Sequence, residues 1–299
     1  MNITGLHLKN PTILAAGIMG TTGASLIRMA REGAGAVVTK SIGPQPKEGH
    51  SNPSMVKLEC GYLNAMGLPN PSYEAFLPEL EKAKDKAGVP VIASIFGGDP
   101  EEFRMVAEGL ISGKPDAFEL NVSCPHAMGY GASVGTDPSM VKAVTSAVCE
   151  IADAPVWVKL TPNVTDIVTI GKAAQAGGAD AVVAINTVRG MAIDIHSGYP
   201  VLGNRFGGLS GEAIRPVAVK CVYDLYANLD IPIIGVGGIS TWKHAVEMIM
   251  AGACAVQIGS GVYEGMNVFS DITAGINWFL KEHGYTKIED ITGIAHERF

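Results

Sequence analysis

Repetition constrains this chain more than any other feature: short apolar runs of strand length alternate with helix-length segments almost from end to end. Strand candidates run from Thr12 to Gly17, Ala36 to Lys40, Val89 to Phe96, Ala117 to Leu120, Pro155 to Thr161, Ala181 to Asn186, Ile231 to Val236 and Ala253 to Ile258. Each is short, largely apolar and bounded by turn residues, the pattern of a strand buried on both faces. Helices are expected from Gly23 to Ala30, Tyr73 to Ala87, Pro100 to Ser112, Pro138 to Ile151, Val164 to Ala176, Gly211 to Asn228, Thr241 to Ala251 and Val268 to His283. Several strands are entered through near-identical small residues, Gly33-Ala34-Gly35-Ala36, Gly177-Gly178-Ala179-Asp180 and Gly252-Ala253-Cys254. Eight such units predict an α/β fold, a (β/α)8 TIM barrel. An open doubly wound sheet fits less well, because no strand-initial G-x-G-x-x-G opens the chain. No linker or low-complexity break divides residues 1–299, so one domain is expected.

Two segments exceed an ordinary strand-to-helix loop, Ser41 to Pro71 and Val188 to Ser210. They are expected as irregular insertions lying over the carboxyl-end face of the barrel, where such folds keep their chemistry. Before them, Ile3 to Leu8 suits a short strand or hairpin closing one end.

Chemistry-bearing residues collect at the same strand ends. Asn121-Val122-Ser123-Cys124-Pro125-His126 places a polar amide and a thiol where the fourth strand opens into a loop with glycines at 129, 131 and 135. A cysteine there could act as nucleophile, metal ligand, redox partner or general base, against the ordinary role of a buried thiol as a small hydrophobe. Lys40 and Lys159 stand at the ends of the second and fifth strands, where a cation near the barrel interior needs an anionic partner. Asn64, Asn121 and Asn186, with Thr187, can converge above the barrel mouth and read the amide edges of a planar ring. After the seventh and eighth strands come Gly235-Val236-Gly237-Gly238-Ile239-Ser240 and Gly259-Ser260-Gly261, adjacent turns whose backbone amides suit a phosphate.

Other features exclude more than they propose. The formal charge of −7 and the lack of a basic cluster argue against nucleic acid. The five cysteines, at 60, 124, 149, 221 and 254, form no C-x-x-C pair, so zinc and iron–sulfur spacings are missing and no metal is expected. Met1 to His7 is not a signal segment and no run is long enough to span a membrane, which predicts a soluble protein in the reducing cytoplasm. Glu101-Glu102 reads as the acidic first turn of a helix, and His7, His50, His244, His283 and His296 as surface residues.

Taken in order, Thr39-Lys40-Ser41, the run from Leu63 to Pro71, Asn121 to Pro125, Val158 to Asn163, Ile185-Asn186-Thr187, Gly207 to Gly211 and Gly235 to Ile239 closely resemble the dihydroorotate dehydrogenases over essentially the whole chain. The likeness is to the soluble class 1B, whose FMN-binding catalytic subunit works with an electron-transfer partner. It implies that Cys124 removes a proton from C5 of dihydroorotate while the hydride at C6 passes to N5 of FMN. It further implies orotate contacts from Lys40, Asn64, Ala65, Met66, Gly67, Leu68, Asn121, Asn186 and Thr187. FMN contacts are implied for Gly17, Lys40, Ser41, Ser94, Asn121, Lys159, Ile185, Gly211, Gly237, Gly238, Gly259 and Ser260. Implied partners are a second copy in a homodimer and a subunit carrying FAD and a [2Fe-2S] cluster, with NAD as final acceptor.

Two positions depart from the family pattern. His126 replaces the usual Asn after Cys-Pro, as in dihydropyrimidine dehydrogenases, so an FMN enzyme acting on uracil or thymine is the rival reading. Ser94 replaces an Asn near the flavin. A reading from another class is a flavin-free barrel that binds a phosphorylated metabolite through the last two glycine turns; it leaves Cys124 and the asparagine set without a purpose.

Overall fold

A computed structural model describes residues 1–123 and 134–298. Eight parallel strands close into a barrel in chain order: Thr12–Leu14, Ala36–Val38, Val91–Ile95, Ala117–Asn121, Val156–Leu160, Ala181–Ala184, Ile233–Val236 and Ala255–Ile258. The last pairs with the first, Gln257 opposite Ile13. Every residue of these strands is buried except Asn121 at the carboxyl end of the fourth. Their continuous apolar sequences follow from that two-sided burial.

Helices fall where the sequence places them, with ends set by local chemistry. Asp99 caps Pro100–Ile111 by accepting from Glu102 N, and Glu101 and Glu102 occupy its first turn. Phe103, Val106, Ala107 and Leu110 form its buried stripe at helical spacing. The helix expected from Val164 begins only at Ile167, because Asp166 accepts from Val168 N and caps it there. The one expected from Gly211 is split into a 3-10 turn, Glu212–Ile214, and a helix, Arg215–Tyr226. Pro216 has no N–H to bond back into the preceding turn, so it sits in the first turn of a new helix.

At the amino end of the barrel, Asn2–Ile3 pairs with Leu6–His7 as the expected hairpin. Ile3 and Leu8 pack with the interior residues Ile13 and Trp157, and Trp157 Nε1 donates to Thr4 Oγ1 at 3.0 Å. The hairpin closes that end.

The two insertions are more regular than their composition predicts. Met55–Leu58 and Gly61–Asn64 from the first combine with Val188–Gly190 and Gly207–Ser210 from the second in a four-stranded antiparallel sheet. Leu63, Ala65 and Leu202 form a small core of their own beside it. Strands this short gain stability only from partners, and Leu63 pairs with Leu209 far along the chain, so neither segment announces the sheet locally. Glycine permits the close approach: a Cβ at Gly207 would stand 2.2 Å from Asn64 O, and one at Gly208 would stand 2.1 Å from Thr187 Oγ1.

Candidate active site

Side chains alternate along a strand, so Ala117, Glu119 and Asn121 face the same way, as do Trp157 with Lys159 and Ala255 with Gln257. The lower of these join the apolar barrel interior, where Ala117, Trp157 and Ala255 pack together. Above them the interior turns polar. Lys159 Nζ donates to Gln257 Oε1 at 3.0 Å, Gln257 Nε2 donates to Glu119 Oε2 at 2.5 Å, and Lys159 Nζ lies 3.5 Å from Glu119 Oε1. The last contact is ionic only, since Glu119 Oε1 accepts no hydrogen bond. Lys159 is 5% exposed, and Glu119 and Gln257 are fully buried. A cation and a carboxylate so far from water persist because each offsets the other's desolvation.

The asparagines meet one storey higher. Asn121 Nδ2 donates to Ser41 Oγ at 3.0 Å, and Asn121 Oδ1 accepts from Asn186 Nδ2 and from Ser123 N, both at 3.3 Å. Asn186 Oδ1 accepts from Thr187 N at 2.8 Å, which fixes its amide orientation. Asn64 Nδ2 donates to Gly208 O at 3.2 Å across the insertion sheet. These bonds orient the carboxamides around one opening.

That opening is a cavity of about 420 Å³, within the range of small-molecule sites. Of the residues singled out in the sequence, it is lined by Gly17, Lys40, Ser41, Asn64, Ala65, Met66, Gly67, Leu68, Asn121, Lys159, Ile185, Asn186, Thr187, Gly211, Gly237, Gly238, Gly259 and Ser260. Ser94 is not brought to the cavity. It is fully buried behind Ser41, with the two hydroxyls 2.9 Å apart. Cys124, His126 and the glycines at 129 and 131 lie outside the described residues.

Gly237 and Gly238 have φ of 135° and 70°, backbone that side chains rarely adopt. A Cβ at Gly238 would stand 2.6 Å from Arg215 Cβ, and one at Gly261 would stand 2.5 Å from Ile239 O. The two turns therefore pack against their neighbours without side chains and leave backbone lining the cavity, a cradle whose donor chemistry fits a phosphate. Lys159 supplies a buried donor on the floor, and the asparagines supply amides at the mouth. The chain's own groups fit a phosphorylated flavin with a planar polar substrate beside it.

Sequence reading passed over Glu119, Gln257, Tyr62 and Tyr263. Glu119 and Gln257 carried a signal, a lone polar residue inside an apolar strand and two positions before a site residue at Asn121 or Gly259. Tyr62 and Tyr263 carried none; they meet at 5.1 Å between ring centres and both line the cavity, one from a strand of the insertion sheet and the other from a 3-10 turn far along the chain.

The histidines and remaining thiols need one correction and one prediction. Of the five histidines read as surface residues, His7 and His283 are exposed, whereas His50, His244 and His296 are half-buried. His296 stacks on Tyr223 at 3.7 Å, while His244 lies 3.4 Å from Glu212, and burial followed by Arg215 lowers its pKa. Burial pushes the thiols of Cys149 and Cys221 up to about 11 and that of Cys254 up to about 12. At about pH 8 the thiolate fraction at pKa 11 is on the order of one in a thousand. Iodoacetamide should then modify all three far more slowly in the folded protein than in the unfolded one, as peptide mass analysis over time would read. The folded state holds these protons more tightly than the unfolded one, so their contribution to stability is full below about pH 9 and is lost as pH rises toward 12. Among the described residues there is no cluster of His, Cys, Asp or Glu that could hold a metal, and no helix long and apolar enough to cross a membrane.

Comparison with known proteins bears on the same chain length. The family model for dihydroorotate dehydrogenase matches residues 1–280. The catalytic subunit of dihydroorotate dehydrogenase B (NAD(+)) from Methanosarcina acetivorans is 71% identical over 297 residues, covering 99% of this chain and 96% of that protein. The subunit of the same name from Methanocella arvoryzae is 64% identical over 295 residues, covering 99% and 97%. That from Pyrococcus abyssi is 54% identical over 296 residues, covering 99% and 98%.

Proposed function

The chain belongs to the dihydroorotate dehydrogenase family, and from that premise we propose that it is the FMN-binding catalytic subunit of an NAD-linked enzyme that oxidises dihydroorotate to orotate in pyrimidine synthesis. The observation that carries the reading is the joining of Lys159, Asn121, Asn186 and the two glycine turns around one cavity. Bound FMN supplies the two-electron acceptor. The turns at Gly237-Gly238 and Gly259-Ser260 hold its phosphate, and Lys159 donates toward its ring from the barrel floor. Asn64, Asn121, Asn186 and Thr187 hold the amide edges of the pyrimidine ring, while Lys40 and the backbone from Ala65 to Leu68 face its carboxylate. Cys124, as thiolate, takes the C5 proton.

Turnover also needs an onward electron-transfer step. We assign that step to a partner subunit with FAD and a [2Fe-2S] cluster, docked on a homodimer of this chain in the cytoplasm; the NAD(+) in the relatives' name supports a nicotinamide as the final acceptor. Uracil and thymine lack the carboxylate that Lys40 would face, and a site built to pair a charged group rejects a ligand without it.

Anaerobic spectroscopy tests the proposal. Dihydroorotate should bleach the visible absorbance of the FMN-loaded chain, dihydrouracil should not, and NAD should be reduced only after the partner is added. Bleaching by dihydrouracil alone would transfer the case to the dihydropyrimidine reading. Failure to take up FMN at all would overturn the flavin assignment, and rapid NADH formation by the isolated chain would overturn the two-subunit path.

A further inference from the structure

We infer that Glu119 is a positioning residue for Lys159: it cancels the lysine's charge from behind, so that Lys159 meets the flavin as a donor within a neutral pair and not as a free cation. The inference rests on the reading above that Lys159 contacts the flavin.

Three side chains from three barrel strands carry it. Lys159 and Gln257 line the cavity, whereas Glu119, on the adjacent strand, does not and is fully buried. The cation thus faces the cavity while its counter-charge stands on the protein side. Gln257 couples them in one orientation, its carbonyl accepting from the ammonium at 3.0 Å and its amide donating to the carboxylate at 2.5 Å. Turning that amide over would set NH₂ against NH₃⁺ and C=O against carboxylate, so the amide is locked by the two charges it joins. Glu119 Oε1 keeps a contact with Lys159 Nζ at 3.5 Å and no hydrogen bond, which makes the remaining half of the carboxylate an electrostatic neighbour of the lysine.

A merely structural ion pair and a charge-cancelling one differ in what they do to the flavin. Reduced flavin carries more negative charge than oxidised flavin, so net positive charge on the floor favours reduction and net negative charge opposes it. Inside a barrel shielded from water such a charge is weakly screened.

The test is the reduction potential of bound FMN, measured against a reference dye in four proteins: the parent chain, Glu119→Gln, Lys159→Met and the double variant. Glu119→Gln leaves a net positive floor and should raise the equilibrium constant for reduction at least about tenfold, a shift of about 30 mV to more positive potential for a two-electron couple. Lys159→Met removes the donor and its positive charge and, measured at a pH where Glu119 stays ionised, should shift it at least about tenfold the other way. The double variant is neutral again but lacks the lysine donor, so it should move back from Lys159→Met toward the parent by at least about threefold, short of it by what the donor contributed. If Lys159→Met shifts the potential but Glu119→Gln does not, charge cancellation is overturned while the Lys159 contact stands. If Lys159→Met shifts nothing, the Lys159 reading itself falls and the inference with it. Should Glu119→Gln fail to fold, Lys159→Met against the double variant decides: that move back toward the parent upholds the inference, and a double variant as displaced as Lys159→Met overturns it.

Discussion

Replacing Cys124 with serine is expected to slow reduction of bound FMN by dihydroorotate on the order of 10²–10⁴-fold at neutral pH, the range that a positioned proton acceptor contributes. A thiol ionises within reach of neutrality, whereas a serine hydroxyl does not, so serine keeps the size of the side chain and removes the route for the C5 proton. The glycine turns and Lys159 are untouched, and FMN affinity should hold. Stopped-flow bleaching with each cysteine replaced in turn makes the assignment specific. Cys60→Ser, Cys149→Ser, Cys221→Ser and Cys254→Ser should all reduce at the parent rate, three of these thiols being held protonated by burial. A parent-like rate in Cys124→Ser, or an equal loss in Cys60→Ser, would remove Cys124 from the role.

The second large effect is expected at Asn121. Its carboxamide bonds Ser41 Oγ, Asn186 Nδ2 and Ser123 N, and so ties the second strand's end, the sixth strand's end and the start of its own loop to one side chain. Each bond contributes about 1 kcal/mol, with more lost when a buried partner is left unsatisfied. Asn121→Ala removes all three and releases Asn186 as well, so kcat/KM for dihydroorotate should fall about 10²–10³-fold, with KM rising as well as kcat falling. Because the barrel strands pair through backbone, the variant should still fold, which its circular dichroism would report. A loss in kcat/KM of less than about threefold would mean that the amide network orients nothing of consequence.

How much of this was legible beforehand depends on the range over which each feature is encoded. Thr12–Leu14, Val156–Leu160 and the other barrel strands are visible because short, two-sided apolar runs are a local pattern, and so is the buried stripe of Pro100–Ile111. The strand ends carrying Lys159, Asn121 and Gly237 follow from the same runs, since a strand's direction in a barrel also says which of its ends faces the chemistry. The family motifs supplied the roles that strand patterns cannot. Ser94 shows the limit: it faces the barrel interior on the right strand, opposite Glu119, but Ser41 from the neighbouring strand's end covers it.

By itself the sequence determined the alternation of strands and helices, the barrel, the end at which polar residues gather and the family to which the chain belongs, because all of these are written in periodicity or contiguous motifs. Only the tertiary structure decided that the two insertions pair into one sheet, that Tyr62 meets Tyr263, and that Glu119 and Gln257 enclose Lys159. The reason is physical: such contacts join residues up to 201 positions apart or strands on opposite arcs of the barrel, and come into being only when distant segments pack together. A lone Glu in an apolar strand is a cost until the next strand brings it a cation, and the helix between the two strands keeps them apart in the sequence.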